Sequence, residues 1–215
     1  ASTQDCSPEG PSHLLCHERI LGMETHEAIE VRRSIRKFKD QPVPESEIRA
    51  LLEAATLAPS GKNRQPWRFV VVDEAQRGEM VRLMREGIEN LKSQGVNTGS
   101  SQWTVEIMAQ APVTIFVFDD VELEDDSIQN FPDLLGHLVD VQSIGAAIQN
   151  LLLAATDRGL GTLWICDVYY AYQELCAWLG EKRLMVAAVS VGYPDEAPEP
   201  RPRKSVDEVT RWVGR

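Results

Sequence analysis

One long apolar segment, residues 134–158, constrains the fold of this chain more than any other feature. Its apolar side chains lie around most of the circumference of a helix, and such a helix needs other elements packed on most of its sides. The richest stretch, residues 144–155, is too short to span a bilayer and is interrupted by Gln149 and Asn150. The sequence therefore predicts a central, buried helix and no transmembrane segment.

Four shorter apolar runs, bounded by Pro, Gly or Asp, have the length and composition of β-strands. They cover residues 67–73, 112–119, 159–167 and 183–194. Helical spacing predicts helices around them, at 25–33, 44–57, 74–92, 102–110 and 170–179, with Ser205 able to cap a last short helix. This order predicts an α/β or α+β fold with a sheet of four or five strands and helices on both faces. Trp67 and Trp164 are expected in the core.

The length of the chain suits a single domain. Its 215 residues are 43% hydrophobic and 26% charged, an ordinary balance for a globular protein. Regular patterning begins near Met23, whereas residues 1–22 carry scattered Pro, Ser and Gly and lack the basic-then-apolar order of a signal peptide. We predict a flexible extension at 1–22 and one domain at 23–215; a docked native arm is the alternative for the extension.

The cysteines and histidines form no recognisable site. Cys6, Cys16, Cys166 and Cys176 make no CxxC pair and no zinc spacing with histidine. Sparse cysteines without a pattern fit a reducing compartment, so we expect a cytoplasmic protein without a structural metal. The chain has no GxSxG, HExxH or Walker motif, and hydrolytic or NTP-driven activities therefore have little support.

Positive charge is concentrated at residues 32–39, which hold five basic side chains in a chain of net charge −11. The overall acidity argues against nucleic-acid binding, so any anion site must be local. The donor fork of arginine matches phosphate oxygens, which makes Arg32, Arg33 and Ser34 candidates for binding a phosphate-bearing ligand. A solvated basic face is the alternative. A second cluster at 201–204 would add donors if the fold brought the two clusters together.

A polar loop lies between Pro59 and Pro66. Ser60, Asn63 and Gln65 are short polar residues, and Pro and Gly restrict the backbone so that such groups can point at one ligand. Asn and Gln offer both donors and acceptors to the edge of a heterocycle. An ordinary connection from helix to strand is the alternative interpretation.

Four stretches together resemble the nitroreductase family of flavin enzymes. They are RRSIRKF, APSGKNRQPWRFVVV, GLGTLW and RPRKSVDEV, in that order and at similar spacing, and the resemblance covers about residues 23–215. It implies an α+β fold with a central mixed sheet wrapped by helices. It also implies an intertwined homodimer that binds FMN at its interface, with the C-terminal segment crossing onto the partner subunit.

The resemblance also implies roles for individual residues. The phosphate of FMN would be held by Arg32, Arg33 and Ser34, with Arg203 and Arg201 on the other side. Arg36 would lie near the pyrimidine edge of the flavin and stabilise its reduced, anionic form. The second subunit would contribute the polar-loop residues Pro59, Ser60, Gly61, Asn63 and Gln65. The isoalloxazine ring would lie beside Trp164, Ile165, Cys166 and Asp167, with a backbone N–H directed towards N5.

The activity implied is ping-pong transfer of hydride from NADH or NADPH, through flavin N5, to a nitroaromatic, quinone or similar conjugated small molecule. No catalytic acid or base is nominated, because the cofactor carries the chemistry. Better-known bacterial nitroreductases have Glu-Gly where this chain has Cys166-Asp167, and residues 86–103 are predicted to form part of a lid over the substrate. The alternatives are a reductive dehalogenase, a flavin-fragmenting enzyme of cobamide-ligand synthesis, or a flavin-binding protein without turnover.

Overall fold

A computed structural model describes residues 22–122 and 131–214 of the chain. The extension predicted at 1–22 lies outside the described residues except for Gly22, and Cys6 and Cys16 lie outside them too.

The centre of the fold is a four-stranded sheet. Its strands are β1 (Trp67–Val72), β2 (Val113–Glu122), β3 (Gly161–Ile165) and β4 (Arg183–Gly192), in the order β1-β2-β4-β3. All three neighbouring pairs are antiparallel. The four strands and the α+β class agree with the sequence prediction. The resemblance implied a mixed sheet, but the four strands are antiparallel, and the parallel pairing among the described residues is one isolated bridge between Ser34 and Thr162.

Helices cover both faces of the sheet. The helices are α1 (Thr25–Val31), α2 (Glu45–Thr56), α3 (Glu74–Ser93), α4 (Ser101–Gln110), α5 (Phe131–Asp157), α6 (Tyr172–Leu179) and α7 (Val206–Val209). Alternation along β2 divides the core: Phe116 and Phe118 pack with α3, α4 and α6, whereas Ile115 and Val117 pack with α2 and α5. The prediction of helices on both faces is therefore confirmed.

The long helix α5 is central, as predicted, over its second half. Ile144, Ile148 and Leu151 are fully buried against the sheet. The expectation that no segment could span a membrane needs a correction. Leu134–Asp157 is long and apolar enough by length and composition, with a mean hydropathy of 1.4. The core helix of a soluble protein meets the same criterion, so this finding is weak evidence for a membrane.

The C-terminal segment follows β4 back along the start of the domain. The backbone N–H of Lys39 donates to the Tyr193 carbonyl, and the backbone N–H of Asp195 donates to the Lys37 carbonyl, both at 2.9 Å. The chain then leaves the core, and α7 has no buried residue. Ser205 caps α7 through a capping box with Glu208, as the sequence predicted.

Candidate functional site

The two basic clusters of the sequence meet around one cavity. It has a volume of about 510 Å³ and is lined by residues from both ends of the domain. They are Ile29, Glu30, Arg32, Arg33, Ser34, Arg36, Pro198, Glu199, Pro200, Arg201 and Arg203. The pairing of residues 37–39 with the chain after β4 places residues 198–203 beside Arg32 and Arg33. We call this the arginine cavity.

The arginine cavity carries an excess of positive charge, because its five arginines outnumber its two carboxylates, Glu30 and Glu199. Among the described residues, no ion pair involves any of its arginines. Burial lowers the pKa of Arg32, and the charges of Arg203 and Arg33 lower it further. Arg33 donates to the carbonyls of Glu30 at 2.6 Å and Arg32 at 2.9 Å, which holds its guanidinium in place. Such a donor set suits a multiply charged anion such as a phosphate.

A second cavity, of about 190 Å³, begins where the first one ends. Arg36 lines both cavities. The other lining residues come from α4 and from the end of β3. They are Ser100, Trp103, Thr104, Ile107, Leu163, Trp164, Ile165, Cys166 and Asp167. We call this the ring cavity, because aromatic and apolar side chains supply flat walls beside a single cation.

Close backbone packing explains why the two cavities adjoin. The N–H of Ile35 donates to the Thr162 carbonyl at 2.9 Å, so the basic segment runs alongside β3. A Cβ atom at Gly161 would lie 2.8 Å from the Ile35 side chain, and only glycine permits this approach. Arg36 follows Ile35 directly, so this contact places Arg36 beside the residues at the end of β3.

Trp164 contradicts one expectation from the sequence. It was assigned to the core with Trp67, yet 38% of its surface is exposed and it lines the ring cavity, whereas Trp67 is buried. The reason is that side chains alternate along β3. Leu163 and Ile165 join the core with α3, α4 and α6, whereas Trp164 points to the opposite face, where α5 covers it only in part at this edge strand.

Three residues of α4 line the ring cavity, and none of them was a candidate site residue from the sequence: Trp103, Thr104 and Ile107. The ring of Trp103 lies 5.5 Å from the guanidinium carbon of Arg36, a cation–π contact. Thr104 donates a hydrogen bond to the Asp167 carboxylate and so ties α4 to the end of β3. Of the predicted lid at 86–103, only Ser100 and Trp103 line the ring cavity. A tryptophan just after a Gly/Ser/Asn loop was the available signal.

The ring cavity has no thiolate at neutral pH. Burial, followed by the neighbouring charge of Asp167, raises the pKa of the Cys166 thiol. Burial also raises the pKa of the Tyr169 phenol, which donates to the Val186 carbonyl. Both groups are therefore protonated at neutral pH, and neither can act as a base there.

The polar loop lies elsewhere on the molecule. Pro59, Ser60, Gly61, Asn63 and Gln65 line neither the arginine cavity nor the ring cavity of their own chain. The loop instead packs on α5, where the Gly61 N–H donates to Ser143 Oγ at 3.3 Å. The structure thus brings together the arginine and β3 candidates in one chain and leaves the polar-loop candidates apart from them.

Comparison with known proteins gives a consistent result. The profile of the nitroreductase family matches residues 29–193. A provisionally named NADH dehydrogenase/NAD(P)H nitroreductase of Methanothermobacter thermautotrophicus is 33% identical over 188 residues, covering 85% of this chain and 84% of that protein. An iodotyrosine deiodinase of Thermotoga neapolitana is 28% identical over 184 residues, covering 81% and 91%. The crystal structure of a provisionally named nitroreductase of Desulfovibrio desulfuricans in complex with FMN matches with a TM-score of 0.67 at 28% identity, covering 88% of this chain and 96% of that one.

Proposed function

The chain belongs to the nitroreductase family, and from that premise we propose that it is an FMN-dependent oxidoreductase. It takes electrons from NADH or NADPH and passes them to small conjugated acceptors such as nitroaromatics or quinones. One observation carries the proposal. Five arginines of the two basic clusters line a cavity without carboxylate partners, and Arg36 joins that cavity to a second one with aromatic walls.

The donor set fits FMN at both ends. Arg32, Arg33, Ser34, Arg201 and Arg203 would hold the phosphate, because the arginines form no ion pair within the described part of the chain and outnumber the carboxylates of the cavity. At the other end of the cofactor, the ring would lie along Trp164, Ile165, Cys166 and Asp167, which line the ring cavity.

Arg36 would serve the pyrimidine edge of the cofactor. Its guanidinium donates to the Ser34 carbonyl at 3.0 Å and lies over the ring of Trp103, so its position is fixed from two sides. A cation there stabilises negative charge on the flavin. When bound, FMN would supply hydride exchange at N5 between the nicotinamide and the acceptor. We assign no acid or base to the protein.

We propose that the working unit is a homodimer in which the second copy supplies the polar loop. The loop residues line neither cavity of their own chain, as expected if they serve the partner. Two exposed apolar surfaces could also be buried by a second copy of the chain. The first half of α5 exposes Leu134, Leu135, Leu138, Val139 and Val141, and the C-terminal segment exposes Val206, Val209 and Val213. Multi-angle light scattering should give twice the mass of the chain; a monomer that binds FMN with full affinity would overturn this arrangement.

The alternative is a specialised member of the family. The relative named iodotyrosine deiodinase supports a reductive dehalogenase. A relative of Rhodospirillum rubrum named 5,6-dimethylbenzimidazole synthase, 29% identical over 172 residues, supports a flavin-fragmenting enzyme. A flavin carrier without turnover has no particular observation in its favour. Turnover separates them: a dehalogenase releases halide from a halogenated phenol, and a carrier is not reduced by nicotinamide. The predicted extension at 1–22 and the cytoplasmic location remain proposals from the sequence.

The visible absorption spectrum of the purified protein, supplied with FMN, tests the proposal. We expect a flavin spectrum that bleaches on anaerobic addition of NADH or NADPH, and the more effective donor identifies the preferred one. Return of the colour on adding a nitroaromatic or quinone completes the cycle. A flavin spectrum that neither donor bleaches would favour the carrier, and absence of bound flavin would overturn the assignment of the arginine cavity.

A further inference from the structure

The polar loop is held against a single turn of α5 at three points. The Gly61 N–H donates to Ser143 Oγ at 3.3 Å, and this hydroxyl in turn donates to the Val139 carbonyl at 2.7 Å. A Cβ atom at Gly61 would lie 2.3 Å from the Val139 side chain, so the loop backbone lies directly on the helix. The third point is an ion pair, with Arg64 Nη2 3.1 Å from Asp140 Oδ2.

The ion pair is the strongest of these contacts because its acid is buried. The side chain of Asp140 is 2% exposed, while that of Arg64 is 51% exposed. The other oxygen of Asp140, Oδ1, has no hydrogen-bonding partner among the described residues. A buried carboxylate that loses its cation is left uncompensated, which makes this pair more consequential than one on the surface.

A second buried carboxylate lies near enough to this ion pair to be affected by its charges. Asp119, on β2, is fully buried, and neither of its oxygens has a hydrogen-bonding partner in the described part of the chain. The charged or titratable groups acting on it are Asp140 and His137 from α5 and Arg64 from the loop. Burial and the charge of Asp140 raise the pKa of Asp119 to about 6. Arg64 therefore pairs with Asp140, and its charge also opposes the rise in the pKa of Asp119.

The loop that carries Arg64 has an unusual backbone. Lys62, Asn63 and Gln65 have φ angles of 52°, 56° and 51°, in the left-handed region that favours glycine. Two of these residues flank Arg64 directly. Residues other than glycine keep such angles when the surrounding structure holds them there, and such conformations cluster at ligand sites.

We propose that Asp140, acting through Arg64, is a positioning residue that holds the polar loop in its cofactor-binding conformation, with Asp119 as a second acid behind the same arginine. The inference rests on the proposed function, since it takes the loop to contact FMN in a dimer. It adds the residues that fix the loop, none of which was a candidate from the sequence.

Hydrogen exchange of the loop in the flavin-free, full-length protein tests the anchor without reference to FMN. In Asp140→Asn, the amides of Gly61, Asn63 and Arg64 should exchange about tenfold faster or more than in the wild type, because local opening becomes easier. The central strand β2 should keep its protection. The matched control is Glu106→Gln, which breaks the exposed Arg85–Glu106 pair of 2.9 Å far from the loop. Unchanged loop exchange in Asp140→Asn would overturn the anchor.

A second variant keeps the test decisive if Asp140→Asn folds poorly. Arg64→Lys retains a charge to compensate the buried acids but loses the planar fork, and Arg64 is half exposed, so the change is tolerable. Loop exchange in this variant should lie between the wild type and Asp140→Asn. Protection equal to that of the wild type would show that any nearby charge suffices and would overturn the positioning role of the pair.

The dissociation constant of FMN, from quenching of its fluorescence, links the anchor to the cofactor. Asp140→Asn should bind FMN about tenfold more weakly, whereas Glu106→Gln should stay within about twofold of the wild type. Faster loop exchange with unchanged FMN affinity would overturn the positioning role. Failure of the wild type to bind FMN would instead overturn the proposed function, and the exchange result would still decide whether the anchor exists.

Discussion

The arginine cavity and the anchor of the polar loop hold opposite imbalances of charge. The cavity gathers arginines without a paired carboxylate and is open to solvent, whereas the anchor places one arginine against two buried acids. An open imbalance can be corrected by a ligand of opposite charge. A closed one can be corrected by a proton, which is why the pKa of Asp119 is raised to about 6. Position in the fold thus decides whether surplus charge indicates a ligand or a titration.

Reversing one charge in the arginine cavity should have the largest effect. Arg32→Glu replaces a half-buried cation with an anion beside Arg33 and Arg203, so FMN affinity should fall at least about a hundredfold, or about 3 kcal/mol. Fluorescence titration of the flavin-free protein measures it. The control is Arg49→Glu, the same change on exposed α2, which should leave affinity unaltered. A fully yellow Arg32→Glu protein would break the comparison, because the cavity would not be an anion site.

Removing the second buried acid should affect stability in a pH-dependent way. The pKa of Asp119 is about 6 in the folded protein against an ordinary value of 3.8, so ionisation opposes folding. Its stabilising contribution is complete below pH 3.8 and is lost as pH rises through about 6. Asp119→Asn should therefore be more stable than the wild type at pH 7.5 by up to about 3 kcal/mol, with little difference at pH 4.

Denaturant unfolding at several pH values measures this difference. The control is Asp120→Asn, the adjacent carboxylate, which pairs with Arg68 and Arg183 and should give no gain at pH 7.5. If Asp119→Asn were destabilised most at pH 7.5, the charged form of Asp119 would stabilise the fold as a partner of Arg64. The anchor would then have no excess of negative charge, and the contrast with the arginine cavity would fail.

Truncating one arginine of the cavity should have a smaller effect than reversing one. If Arg203 binds the phosphate as proposed, Arg203→Ala removes one charge-assisted contact, so FMN affinity should fall about tenfold, or about 1.4 kcal/mol. Lys204→Ala is the matched control: it removes the same charge from the next residue, which does not line the cavity. Equal losses in the two variants would mean that net charge matters and the placement of Arg203 does not.

The smallest effect is expected at the thiol of the ring cavity. Because the pKa of Cys166 is raised, its thiol is protonated at neutral pH and contributes no charge to either cavity. Cys166→Ser should change kcat/KM by less than about threefold and leave its dependence on pH between about 6 and 8 unaltered. Loss of an ionisation from that pH profile in the variant would show that the thiol takes part in the reaction.

Local sequence patterns determined the elements of this protein and one half of its candidate site. Apolar periodicity and turn residues define the four strands and the long helix, and the arginines of the first cluster are visible as a run of like charge. The burial of the second half of α5 also followed, because a helix that is apolar on most sides must be covered. These features depend on neighbours in the chain, so a sequence is enough to predict them.

Tertiary structure decided what depends on distant parts of the chain. It brought residues 198–203 to Arg32 and left Trp164 partly exposed on an edge strand. It also buried Asp119, an acid inside an apolar run, within the influence of the charges of Asp140 on α5 and of its ion-pair partner Arg64. Burial and charge compensation are properties of the packed fold, and no local pattern marks a residue whose partner lies far along the chain.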